Sequence, residues 1–259
     1  MATRGNTSLD PEDVAWAVER GVNYLNWCLH PDGLSRYVRE SGANRDGLIA
    51  AAQFKARLAD GAEREMDWIL EQLGGRLDVA TLYYVESQEE WDEIISPGGA
   101  WEVLAERRRR GELARIGLTT HQRPLGALWA EEKSETGEPR LDLLMARYNA
   151  AHRGAEQDIF PVTTRLGKPV VSFTGLRWRK LLATTPEDPL GFEPPDAAEC
   201  YRFCLSNPSV SVALTAPNGR RELEQNLRLL EDWRAAEDAE LAAMRAHGDR
   251  VRRNSSEFW

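Results

Sequence analysis

Gly111-Glu112-Leu113-Ala114-Arg115-Ile116-Gly117-Leu118-Thr119-Thr120 is the stretch on which the fold turns. A glycine ends the charged helical pattern of residues 89–109. A short apolar run, 114–118, follows, and a second helical pattern begins at 125. The same unit repeats along the chain. Apolar runs at 22–25, 48–52, 80–85, 141–145, 169–173 and 209–214 alternate with helical patterns at 63–73, 125–132, 157–166, 197–205 and 221–233. Asp10-Pro11-Glu12 opens the helix before the first run, with proline in the first turn. Strands alternating with helices imply parallel strands joined by right-handed crossovers. Seven strand candidates are clear, and residues 3–8 are a weak eighth.

The length of 259 residues suits one (β/α)8 TIM barrel, an α/β fold of roughly 250 residues. It equally allows two small domains. An open doubly wound sheet is the rival fold, but neither Gly-rich phosphate-loop motif is present. The chain therefore reads as one barrel over 1–259, with a C-terminal helical extension at 235–253. Residues 184–195 hold four prolines and read as a surface excursion.

The net charge of -9 argues against general nucleic-acid or anionic-membrane binding. The run Arg107-Arg108-Arg109-Arg110 reads as a solvated helix end, with anion binding as the alternative. Cys28, Cys200 and Cys204 form no framework and suggest a reducing compartment. No early segment resembles a signal peptide, and no apolar run approaches 18 residues. The expectation is a soluble cytoplasmic protein. His121, His152 and His247 have no metal-ligand spacing, so no metal is expected.

Five blocks carry a resemblance. They are Glu19 through Tyr24-Leu25-Asn26; Gly111 through Thr120; Tyr148-Asn149 with Arg153-Gly154-Ala155-Glu156 and Ile159-Phe160-Pro161; Lys168 through Leu176; and Asn207-Pro208-Ser209-Val210 through Asn226-Leu227. In this order they resemble the aldo-keto reductases over most of residues 10–235. The resemblance implies an active site at the C-terminal ends of barrel strands. It also implies oxidoreduction of a small carbonyl or alcohol with NADP(H).

The residues for that chemistry differ. The family's Asp, Tyr, Lys and His align with Asn26, Pro31, Gln53 and Glu86, with His30 and Lys55 beside them. Asn26 and Gln53 carry no titratable charge, and no phenol stands at the Tyr position. Glu86 remains as the best proton-exchanging group, with His30 and Lys55 as alternatives. Each also has a plain reading: a solvated carboxylate, a surface histidine and an ion-pair lysine.

At the implied cofactor site, Thr119 and Thr120 stand for a Ser-Asn pair, Met145 for a Gln and Phe173 for the stacking ring. Gln225 and Asn226 resemble an adenine-binding pair, while Glu222 would face the 2′-phosphate despite Arg220 and Arg221 nearby. NADP(H) binding is expected to be weak or absent. The reading adopted is an aldo-keto reductase-like oxidoreductase with an altered active site; the alternatives are a redox-independent lyase, isomerase or hydrolase using Glu86, and a ligand-binding barrel without catalysis.

Overall fold

In a computed structural model, residues 1–4, 7, 9–42 and 45–255 are described. The elements run α1 (Pro11–Glu19), β1 (Tyr24–Trp27), α2 (Gly33–Ser41), β2 (Ile49–Phe54), α3 (Ala59–Leu73), β3 (Leu77–Leu82), α4 (Gln88–Ile95), α5 (Ala100–Arg109) and β4 (Leu113–Thr119). They continue α6 (Arg123–Trp129), β5 (Leu143–Arg147), α7 (Ile159–Leu166), β6 (Val170–Phe173), α8 (Ala197–Leu205), β7 (Val210–Ala213), α9 (Arg220–Leu227) and α10 (Asp238–Arg253). The seven strands are parallel and follow chain order around a nearly closed barrel.

The gap between β7 and β1 is filled by Met1 to Thr3. Ala2 bridges Asn26 in parallel. Asn26 N–H donates to Met1 O at 2.8 Å and Thr3 N–H to Asn26 O at 3.2 Å. On the other side, Ala2 N–H donates to Thr215 O at 2.7 Å. The eighth stave is thus earlier and shorter than the expected 3–8, whose residues 5, 6 and 8 lie outside the described residues.

Strand parity sorts the core into two shells. Tyr24, Ala51, Val79, Leu143, Met145, Val171 and Phe173 pack together inside the barrel. Their neighbours Leu25, Ala52, Ala80, Leu144 and Val170 pack outward against the helices. Alternate side chains leave opposite faces of a strand, so seven short strands generate both shells. Gly117 supplies the clearance β4 needs: a Cβ there would stand 2.7 Å from Leu143 Cδ1.

Several boundaries differ from the sequence reading. The run 80–85 overshoots β3, because Tyr84 takes a left-handed φ of 47° that no strand accommodates. The pattern 89–109 is two helices. Pro97 cannot donate and disfavours helix at Ser96, and Gly98 turns the chain at φ 82°. Helix α2 was not anticipated; Asp32 and Ser35 cap it reciprocally, through Ser35 N–H to Asp32 Oδ1 at 2.9 Å and Asp32 N–H to Ser35 Oγ at 3.0 Å. The four-arginine run is not simply solvated. Arg107 is buried and paired with Glu63, Asp67 and Glu112, and Arg108 binds Asp142. Among the described residues no helix is long and apolar enough to cross a membrane.

Candidate active site

The C-terminal ends of the strands form a mouth where backbone strain is concentrated. Leu29, Tyr84, Thr174, Arg177, Trp178 and Arg179 are the non-glycine residues with positive φ among the described residues. All six lie in the loops leaving β1, β3 and β6. Such conformations cost about 1–3 kcal/mol each and persist where the surroundings hold them, commonly at working sites.

Asn26 and Gln53 stand near the ends of β1 and β2, at parities shared with the inner shell. Asn26 is 1% exposed, and its Nδ2 donates to Cys28 Sγ at 3.9 Å. Asn26 Oδ1, Thr81 Oγ1 and Thr119 Oγ1 are buried without a protein partner, so the upper bore is polar. Burial pushes the Cys28 thiol up to about 11, with Asp32 adding to the effect, which opposes a reactive thiolate. Lys55 is exposed, with its ammonium 5.9 Å from the Tyr83 ring centre. His30 is exposed, and its carbonyl accepts the Trp27 indole N–H at 2.6 Å.

Glu86 lies four residues beyond β3, in a loop rather than at the strand end. The carboxylate of Glu90 accepts its main-chain N–H at 2.7 Å. The Glu86 carboxylate itself meets His121: Oε1 accepts the His121 main-chain N–H at 2.9 Å and lies 3.1 Å from Nδ1. A carboxylate only accepts, so Nδ1 carries the hydrogen and Nε2 is left with a lone pair. Desolvation holds the His121 pKa below its ordinary 6.5, with nearby Arg147 adding to this and Glu86 opposing it. The imidazole is therefore a neutral base at neutral pH.

Tyr84 stacks on this imidazole with ring centres 4.6 Å apart, and Phe173 stands edge-on to both. Burial and then Tyr83 push the Tyr84 phenol up to about 12, so it stays protonated. Tyr84, His121 and Arg147 were missed as site residues. Tyr84 reads as one more β-prone residue in its run. Arg147 lies beyond the expected end of its strand. His121, which directly follows the Thr-Thr pair, was the available signal.

The implied dinucleotide site is differently occupied. Asn226 is buried and its Nδ2 donates to Thr215 Oγ1 at 2.7 Å, while Gln225 is exposed. Glu222 bridges Arg179 at 2.5 Å and accepts the Asn218 N–H at 2.9 Å. Arg220 is held by Asp13 at 2.6 Å. Met145 and Phe173 are each 7% exposed, and Thr119 and Thr120 are buried. Thr120 Oγ1 also accepts the Gln122 N–H at 2.9 Å. Of the residues aligned with the NADP(H) contacts, Thr119, Thr120, Met145, Phe173 and Asn226 are thus buried and Glu222 is bonded within the protein, while Gln225 stays exposed. Among the described residues no group of three or more His, Cys, Asp or Glu could hold a metal ion.

No protein-family model and no curated protein sequence matches the chain. Solved structures do, aldo-keto reductases among them. One from Klebsiella pneumoniae, in complex with NADP and acetate, superposes at TM-score 0.74 with 16% identity, covering 96% of this chain and 90% of that one. The holo form of one from Bacillus halodurans gives 0.71 with 15% identity, over 93% and 85%. One from a deep-sea metagenome library of the Medee basin gives 0.73 with 10% identity, over 100% and 92%. The fold is that of the aldo-keto reductase barrels.

Proposed function

We propose that this barrel acts on a small molecule at its mouth by proton transfer through His121, with Glu86 orienting the imidazole and Tyr84 as the adjoining phenol. The observation that carries the reading is the Glu86–His121 contact beside a strained, protonated Tyr84. A carboxylate on Nδ1 fixes the tautomer and steadies the imidazolium that forms when Nε2 takes a proton. Tyr84 can donate a hydrogen bond to a substrate oxygen. Asn26 and Gln53 can orient polar groups but exchange no proton near neutrality. Glu86 keeps a role, but works through His121. The reaction class is a lyase, isomerase or hydrolase, and the three unbridged cysteines support a reducing, cytoplasmic setting.

NADP(H)-dependent oxidoreduction of a small carbonyl or alcohol is the second reading, favoured by the fold shared with the NADP-bound Klebsiella protein. The internally bonded Asn226 and Glu222 argue against it, and we expect weak or absent NADP(H) binding. The test is a panel of small carbonyl and hydroxy acids, followed by NMR in heavy water with and without NADPH. We expect conversion or deuterium incorporation without cofactor. His121→Asn should lower it by at least ~100-fold, the usual contribution of a general acid or base. Glu86→Gln should lower turnover similarly while ligand affinity changes little. Turnover that depends strictly on NADPH, or survives His121→Asn, would sink the proposal.

A further inference from the structure

We infer that the mouth also holds a phosphate seat, built on Arg177 and Arg252 with the hydroxyl of Thr120, which takes a small phosphate monoester. A cavity of about 790 Å³ opens there. Arg123, Arg147, Arg153, Arg177, Arg252 and Arg253 line it, and among the described residues no carboxylate does. That composition is far from random in a chain of net charge -9. Among the described residues, Arg123 pairs with Asp158 at 3.1 Å, Arg153 with Asp249 at 2.7 Å and Arg253 with Glu187 at 2.5 Å.

Arg177 is different. It is 3% exposed, yet among the described residues its Nη2 and Nε meet only the Ser255 hydroxyl, at 2.8 and 3.3 Å, and its Nη1 meets His152 Nε2 at 2.6 Å. Guanidinium only donates, so that imidazole nitrogen accepts and His152 is neutral. No salt bridge reaches Arg177 among the described residues. A buried guanidinium facing neutral groups is unfavourable until an anion joins it. Its neighbour Arg252 bears on Arg177 and deepens the deficit.

Guanidinium groups and the Thr120 hydroxyl converging from several loops suit a tetrahedral dianion, which accepts on every side. The cavity far exceeds a bare phosphate, and His121 lines it too. The organic part of the ester can therefore extend to the His121–Glu86 pair. That placement rests on the reading proposed above, whereas the anion seat stands on its own. No residue of α9, where the resemblance puts the adenosine end of a dinucleotide, lines this cavity.

Calorimetric titration of the full chain with inorganic phosphate, at constant ionic strength in chloride, tests the seat. We expect saturable one-to-one binding, weakened at least ~10-fold by Arg252→Gln and by Arg177→Met, since each removes a charge-assisted contact. Without phosphate, Arg177→Met should melt no lower than the parent, because it removes an uncompensated buried charge. Should it fail to fold, Arg252→Gln, at an exposed position, decides the matter. His121→Asn should leave phosphate affinity intact, so failure of the proton-transfer reading is distinguishable from failure of the seat. Binding no stronger than chloride, unchanged affinity in Arg252→Gln, or binding of citrate in place of phosphate would overturn the inference.

Discussion

His152 is pressed from several sides by positive charge. Desolvation comes first, then Arg177, Arg147, Arg252 and Arg123, and together they hold its pKa down at about 3 against an ordinary 6.5. The unfolded chain therefore takes up a proton near 6.5 that the folded chain refuses until about pH 3. Between those values the unfolded state binds more protons, so this residue's contribution to stability is complete above 6.5 and is lost as pH falls. The slope is at most about 1.4 kcal/mol per pH unit. Chemical denaturation at pH 7, 5.5 and 4 should show the loss, and His152→Asn should flatten it. An identical pH slope in that variant would mean that other groups set the acid limit. At this scale the sequence was only partly legible. Asn26, Gln53 and Phe173 could be placed at strand ends because the parity of β1, β2 and β6 is regular. Tyr84, His121 and Arg147 were not, because their meeting depends on a left-handed turn after β3 and on loops from separate strands.

Helices were easier to read than the joints between them. Residues 197–205 match α8 residue for residue, since Asp196 and Glu199 form a local capping box. Helix α10 was anticipated, but its destination was not. It packs so closely on the loop after β5 that a Cβ at Gly248 would stand 2.2 Å from the Ala150 carbonyl oxygen. Arg245 with Glu156 at 2.8 Å, and His247 Nε2 at 2.9 Å from Leu181 O, flank this contact on either side of the helix. This docking delivers Arg252, Arg253 and Ser255 to the mouth. Gly248→Ala cannot be absorbed by a flexible side chain, because the obstacle is backbone. We expect it to lower stability by about 1–3 kcal/mol, as overpacking usually does, and to weaken phosphate binding together with α10 docking. Urea melts and the same calorimetric titration would check both. Unchanged phosphate affinity would show that α10 is dispensable to the seat.

At the scale of the molecule, the repeat of apolar run and amphipathic helix specified parallel strands with right-handed crossovers, and the ordered blocks of family resemblance favoured the barrel over an open sheet. The eighth stave was illegible. Three residues carry too little pattern for any period, and only bonding on both sides reveals them. Closure through Ala2 also governs behaviour in concentrated solution. An intact ring has no edge strands. Release of this short stave would leave β1 and β7 with rows of unpaired N–H and C=O groups, which are templates for pairing between molecules. Ala2→Pro deletes the N–H that reaches Thr215. We expect that variant to keep most of its helical circular dichroism at low concentration. Light scattering should show it associating progressively as concentration rises, while the parent chain does not. A variant as monodisperse as the parent would mean that the ring stays shut without that bond. In aggregation terms, the smallest stave is the lock on a latent self-adhesive surface.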